Sequence, residues 1–107
     1  MNRRKLEKLK TELMQLRRSP QKAAALESLA RRLGRSLVNR GKHPMWENTE
    51  FGDLYPLSIP SHGSKDLPIG TKNSVLDQLE ENDIAAWEQR MIEESDETDD
   101  TGNGRMQ

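Results

Sequence analysis

The chain contains no cysteine, which excludes disulfides and thiolate metal ligands and fits a reducing compartment. Aromatic residues are few: two tryptophans, one tyrosine and one phenylalanine. No run approaches the roughly 18 apolar residues that a membrane-spanning helix needs. The first residues, Met1-Asn2-Arg3-Arg4-Lys5, are basic but lead into no apolar segment, so no secretory signal is read there. These absences predict a soluble, cytoplasmic protein with no membrane partner. Apolar residues make up 32% of the 107 and charged residues 33%. That balance allows one small domain with a modest core and leaves part of the chain outside it.

What the chain has in quantity is charge, unevenly placed. Residues 1–42 hold 13 of the 17 Lys and Arg against three acids, a balance of +10; residues 43–107 hold 15 acids and four basic residues, a balance of −11. A basic half and an acidic half suggest a polyanion-binding surface with an acidic appendage. Charge alone does not separate RNA from DNA or from an acidic protein.

Periodicity divides the chain further. Leu6, Leu9, Leu13 and Leu16 form one narrow apolar stripe on a first helix, residues 1–18. Two heptads are too few to require a coiled coil, so docking on the domain and self-pairing into a homodimer are both open. Ser19-Pro20 marks the start of a second helix, with Leu26, Leu29, Ala30 and Leu33 on one face and Gly34 as its stop. Leu37-Val38, Met45-Trp46 and Leu57-Ser58-Ile59 read as three short strands, the last stopped by Pro60. Residues 60–70 form a loop. Thr71 caps a helix that buries Val75, Leu76 and Leu79, and Asn82-Asp83 caps another with Ile84, Trp87 and Met91 inward. From Glu93 the acidic tail, 93–107, has little to bury and is expected to be disordered. The result is an α+β fold: an α-β-β-β-α core over 19–80, with an extra N-terminal helix and an extra C-terminal helix, 81–92. A double-stranded-RNA-binding-domain-like fold has this order.

Two stretches carry a resemblance. Residues 33–43, Leu-Gly-Arg-Ser-Leu-Val-Asn-Arg-Gly-Lys-His, resemble a helix end, first strand and glycine turn leading to a histidine. Residues 59–76 run from Ile59-Pro60-Ser61-His62 through Lys65-Asp66-Leu67 and Gly70-Thr71 to Val75-Leu76. They resemble the third strand, Pro-x-His loop and helix start of the same family, the HicA toxins of bacterial type II toxin–antitoxin modules. The resemblance covers about residues 24–79. It implies a double-stranded-RNA-binding-domain-like fold, cleavage of mRNA, neutralisation by a HicB-like antitoxin protein, and a catalytic histidine at His43. Lys42 and Pro44 flank that histidine, where the family commonly has Ser before it.

The residues themselves fit this chemistry. Metal-independent RNA cleavage needs a base for the 2′-OH proton, an acid for the leaving oxygen and cations for the phosphate. Histidine, with an ordinary pKa of about 6.5, suits the first two. His43 stands between candidate phosphate cations at Lys42 and Arg40. Arg31, Arg32, Arg35 and Lys65 are expected to track the RNA backbone, and His62 to contact phosphate or order its loop. Two histidines without cysteine make a poor transition-metal site, so no cofactor is expected. Trp46 reads as a packing residue rather than a base-stacking one, and Trp87 belongs to the apolar face of the last helix. The alternative to an endoribonuclease is a non-catalytic RNA- or protein-binding module of the same fold.

Overall fold

The computed structural model describes the backbone of residues 1–40, 43–60 and 64–103, and the side chains of these except Asn39, Arg40, His43 and residues 95–103. Helix α1, Arg3–Arg17, starts at Asn2, whose Oδ1 accepts the Lys5 N–H at 2.8 Å; this meets one of the donors left unpaired at a helix start. Leu6, Leu9 and Leu13 are all buried in the same core as the rest of the chain. The first helix therefore docks on its own domain. Burying a leucine is worth about 1.5–3 kcal/mol at most, so these three side chains hold α1 firmly.

Helix α2 spans Ala23–Arg32 and buries Ala23, Leu26, Leu29 and Ala30. It begins three residues later than Ser19-Pro20 predicts. The Gln21 carbonyl accepts the Leu67 N–H at 2.8 Å, and Lys22 and Asp66 form an isolated antiparallel bridge. That tertiary pairing draws residues 21–22 into extended backbone and delays the helix. Gly34 ends it as expected, with φ +108°. A Cβ there would sit 3.0 Å from Asn48 Oδ1, so both the dihedral and the space call for glycine.

Strands β1, Arg35–Arg40, and β2, His43–Asn48, form an antiparallel hairpin with Arg35 opposite Asn48 and Arg40 opposite His43. The expected third strand is reduced to one bridge, in which Trp46 and Leu57 exchange both backbone hydrogen bonds at 2.8 Å. Pro56 and Pro60 flank that segment and lack the N–H a longer ladder needs. Among the described residues the sheet has two strands, so the three-stranded expectation is corrected. Leu57 and Ile59 still alternate inward and are buried.

Helix α3, Ile69–Gln78, begins at Pro68 rather than at Thr71. It passes without a break into a π-helical segment, Leu79–Ile84, and then into α4, Ala85–Asn103. The second cap expected at Asn82-Asp83 does not form, because Asp83 is buried facing the hairpin instead. The tail expected to be disordered from Glu93 instead continues α4 as far as Asn103; residues 104–107 and the side chains beyond Glu94 lie outside the described residues. The whole is an α+β arrangement, with the helices and the hairpin sharing one core that runs from Leu6 to Trp87. No helix among the described residues is long and apolar enough to cross a membrane.

Candidate nucleic-acid interface

The hairpin has a locked base and a tip that carries the sequence-predicted histidine. At the base, Arg35 is 2% exposed and Asp83 is fully buried. Arg35 Nε and Nη2 donate to the two Asp83 oxygens, each at 2.8 Å, and Nη1 donates to the carbonyls of Trp46 at 2.7 Å and Tyr55 at 3.1 Å. Asn48 Nδ2 donates to Asp83 Oδ2 at 2.8 Å and to the Leu33 carbonyl at 3.2 Å, which also accepts from Trp87 Nε1 at 2.8 Å. Asn48 Oδ1 accepts the N–H groups of Glu50 and Phe51 at 2.8 and 3.0 Å. A buried ion pair is tolerable only when its remaining donors and acceptors are met in this way. The network fastens the end of α2, both strands and the π-helical segment to one another.

This geometry corrects the role expected of Arg35. Its guanidinium faces Asp83 inside the protein, so it offers nothing to an RNA backbone. Arg32 is also committed: it pairs with Glu12 of α1 through its two terminal nitrogens, Nη1 at 2.8 Å. Hydrogen bonding to Glu12 is the main reason its pKa lies above arginine's ordinary value. Arg31 remains exposed on α2, with its guanidinium carbon 4.8 Å from the centre of the Trp46 ring. Trp46 itself is only 2% exposed, so it is packing, with no face free for a base. Lys65 is exposed and makes no ion pair among the described residues.

Backbone geometry places His43 as the first residue of β2, directly across from Arg40. The side chains of Arg40 and His43 are among those not described, and Lys42 and His62 lie outside the described residues. Thus Arg31 and Lys65 stand exposed without an ion pair among the described residues, Arg32 is exposed but paired with Glu12, and Arg35 is buried. No three acidic or histidine side chains converge to hold a metal among the described residues.

Sequence reasoning missed a second buried cation, Lys72 on α3, 2% exposed. Its Nζ donates to the carbonyls of Arg17 and Ser19, both at 2.9 Å, at the negative end of the α1 dipole. Nearby, a cavity of about 380 Å³ is lined by Arg17, Arg18, Ser19, Asp66, Leu67 and Lys72 among others. No local signal marks Lys72, because its acceptors lie more than fifty positions away in the chain. The charge imbalance between the halves also proves partly internal. Lys10 pairs with Glu88, Arg17 with Asp77 and Glu80, Lys22 with Asp66, and Arg35 with Asp83. In comparisons with protein-family models, curated proteins and solved structures, the chain matches none of them.

Proposed function

We propose that the chain is a metal-independent endoribonuclease, an mRNA interferase acting as the toxin of a toxin–antitoxin pair, with His43 as its proton-transfer residue. In this reading the 2′-hydroxyl gives its proton to a base as its oxygen attacks phosphorus, and the departing 5′-oxygen receives a proton in turn. A histidine serves either transfer near neutral pH. Lys42, Arg40, Arg31 and Lys65 supply the positive charge, His62 is a further expected phosphate contact, and a HicB-like protein is the expected antagonist. The order of α2, hairpin, bridged segment and α3 suits a double-stranded-RNA-binding-domain-like scaffold.

The observation that carries the reading is the position of His43 at the start of β2, opposite Arg40 and three residues from the core-anchored Trp46. A proton-transfer group works only if its backbone is fixed relative to the bound phosphate, and Trp46 pins β2 to the core at that distance. The test compares induced expression of the wild type with that of His43→Ala, alongside purified protein and total RNA in EDTA. Growth arrest and RNA loss for the wild type alone are expected, undiminished by the chelator. Identical behaviour of the two proteins rejects the nuclease. RNA bound but left uncut by the wild type points instead to the non-catalytic binding module.

A further inference from the structure

The cations of α1 sort by direction. Those facing the body are engaged: Lys10 with Glu88 at 2.7 Å, and Arg17 with Asp77 and Glu80 at 2.8 Å. On the opposite side, Arg4, Lys8, Thr11, Gln15 and Arg18 recur at spacings of four, three, four and three. This is the same period as the buried leucines, turned to solvent, and all five are exposed. None of the three cations makes an ion pair among the described residues. The acids that border them are occupied, Glu7 beside Lys10 and Glu12 on Arg32. The helix rises about 1.5 Å per residue, so the stripe runs roughly 21 Å, punctuated by two neutral groups that hydrogen-bond phosphate and sugar.

We infer that this outer stripe of α1 is a second RNA-backbone contact, which extends the interface proposed at the hairpin tip around α2. The occupant is a single-stranded RNA segment. An unpaired line of positive charge over several turns complements the phosphates of a polynucleotide strand. The inference rests on the proposed action on RNA and names where the flanking substrate lies. Glu12 and Arg32 join α1 to α2, and the guanidinium of Arg31, the residue before Arg32, lies over the Trp46 ring of the hairpin.

The test uses the full chain carrying His43→Ala, so that bound RNA stays intact, and a labelled single-stranded RNA of about 20 nucleotides, longer than one small binding site. Binding is measured between about 50 and about 200 mM salt. Replacing Arg4, Lys8 and Arg18 together by glutamine should flatten the slope of log K against log salt by about 2, since each phosphate contact on a single strand contributes about 0.7. Affinity near 0.1 M salt should fall by about tenfold to a hundredfold. Glutamine is nearly as good a helix former as either cation. Should the triple variant melt early, Arg4→Gln with Lys8→Gln, which spares the C-cap residue Arg18, tests the same point with a slope change of about 1.4. An unchanged slope in a protein that binds RNA overturns this inference and leaves the hairpin reading intact. Failure of the parent protein to bind RNA at all overturns both. Tighter binding of poly-L-glutamate than of RNA, lost in the triple variant, replaces RNA with an acidic protein as the partner of α1.

Discussion

Arg35 and Lys72 are equally buried, each 2% exposed, and they are held in opposite ways. Arg35 meets a full counter-charge, Asp83, and shares it with Asn48. Lys72 meets carbonyls at the end of α1 and just beyond it, those of Arg17 and Ser19. The first is charge against charge, gathered from three distant parts of the chain; the second is charge against the dipole of one helix end. Guanidinium forks suit the planar carboxylate, and a compact ammonium suits a pair of converging carbonyls. Neither cation is available to a ligand, although both count toward the charge that suggests one.

The sharpest way to separate the two is to remove one partner at a time. Asp83→Ala should destabilise the protein most, by about 3–5 kcal/mol in urea unfolding, because it strands a buried guanidinium. Replacing both Arg35 and Asp83 by apolar residues of similar volume should cost much less than the single change. If the single change is the milder one, the pair is not the fastening described here. Lys72→Met should cost less, about 1–2 kcal/mol, since it leaves two neutral carbonyls without a donor while removing a buried charge. A loss as large as that of Asp83→Ala would mean that the helix end anchors α3 as strongly as the ion pair anchors the hairpin.

The smallest effect belongs to the exposed Lys10–Glu88 pair, 38% and 44% accessible. Lys10→Gln should change stability by less than about 1 kcal/mol, and by less still in high salt. The hydrogen bond from Lys10 to Glu88 raises the lysine pKa above 10.5 against a smaller cost of burial. A raised folded-state pKa means that the contribution is full below about 10.5 and is lost as pH climbs through the folded value. Wild type and variant should therefore converge in stability under strongly alkaline conditions, as followed by thermal melts across that range.

Much of the fold was legible because it is local. The leucine period of α1, the apolar face of α2 and the glycine stop at Gly34 each depend on neighbours a few residues away. The starts of α2 and α3 were misplaced because the backbone at residues 21–22 pairs with residues 66–67, far beyond any local window. Asp83 looked like a cap for the same reason: its partner Arg35 stands 48 positions earlier. At the candidate site the two strands that carry Arg40 and His43 were legible from Leu37-Val38 and Met45-Trp46, and the flanking cations were misleading. Arg31, Arg32 and Arg35 are alike in sequence, but one is exposed beside a ring, one pairs across to α1 and one is buried. Helical and strand phase alone did not distinguish them, because the acids that claim Arg32 and Arg35 come from separate helices.

The π-helical segment between α3 and α4 has a consequence for how this chain tolerates change. A wider turn advances less per residue than an α-helical one, so it delays the phase of everything that follows. It works as a vernier on a long rod, resetting the drift of the inward stripe so that Trp87 faces the same core as Leu76 and Leu79. Substitutions on its outer side, at Glu80 or Glu81, leave that setting alone. Removing a single residue there would let the turn revert to ordinary α-helical winding, whereas inserting one would add about 100° of rotation and swing Trp87, with its bond to Leu33, away from the place that Asp83 and the hairpin have fixed. The segment is thus tolerant of spelling and intolerant of added length.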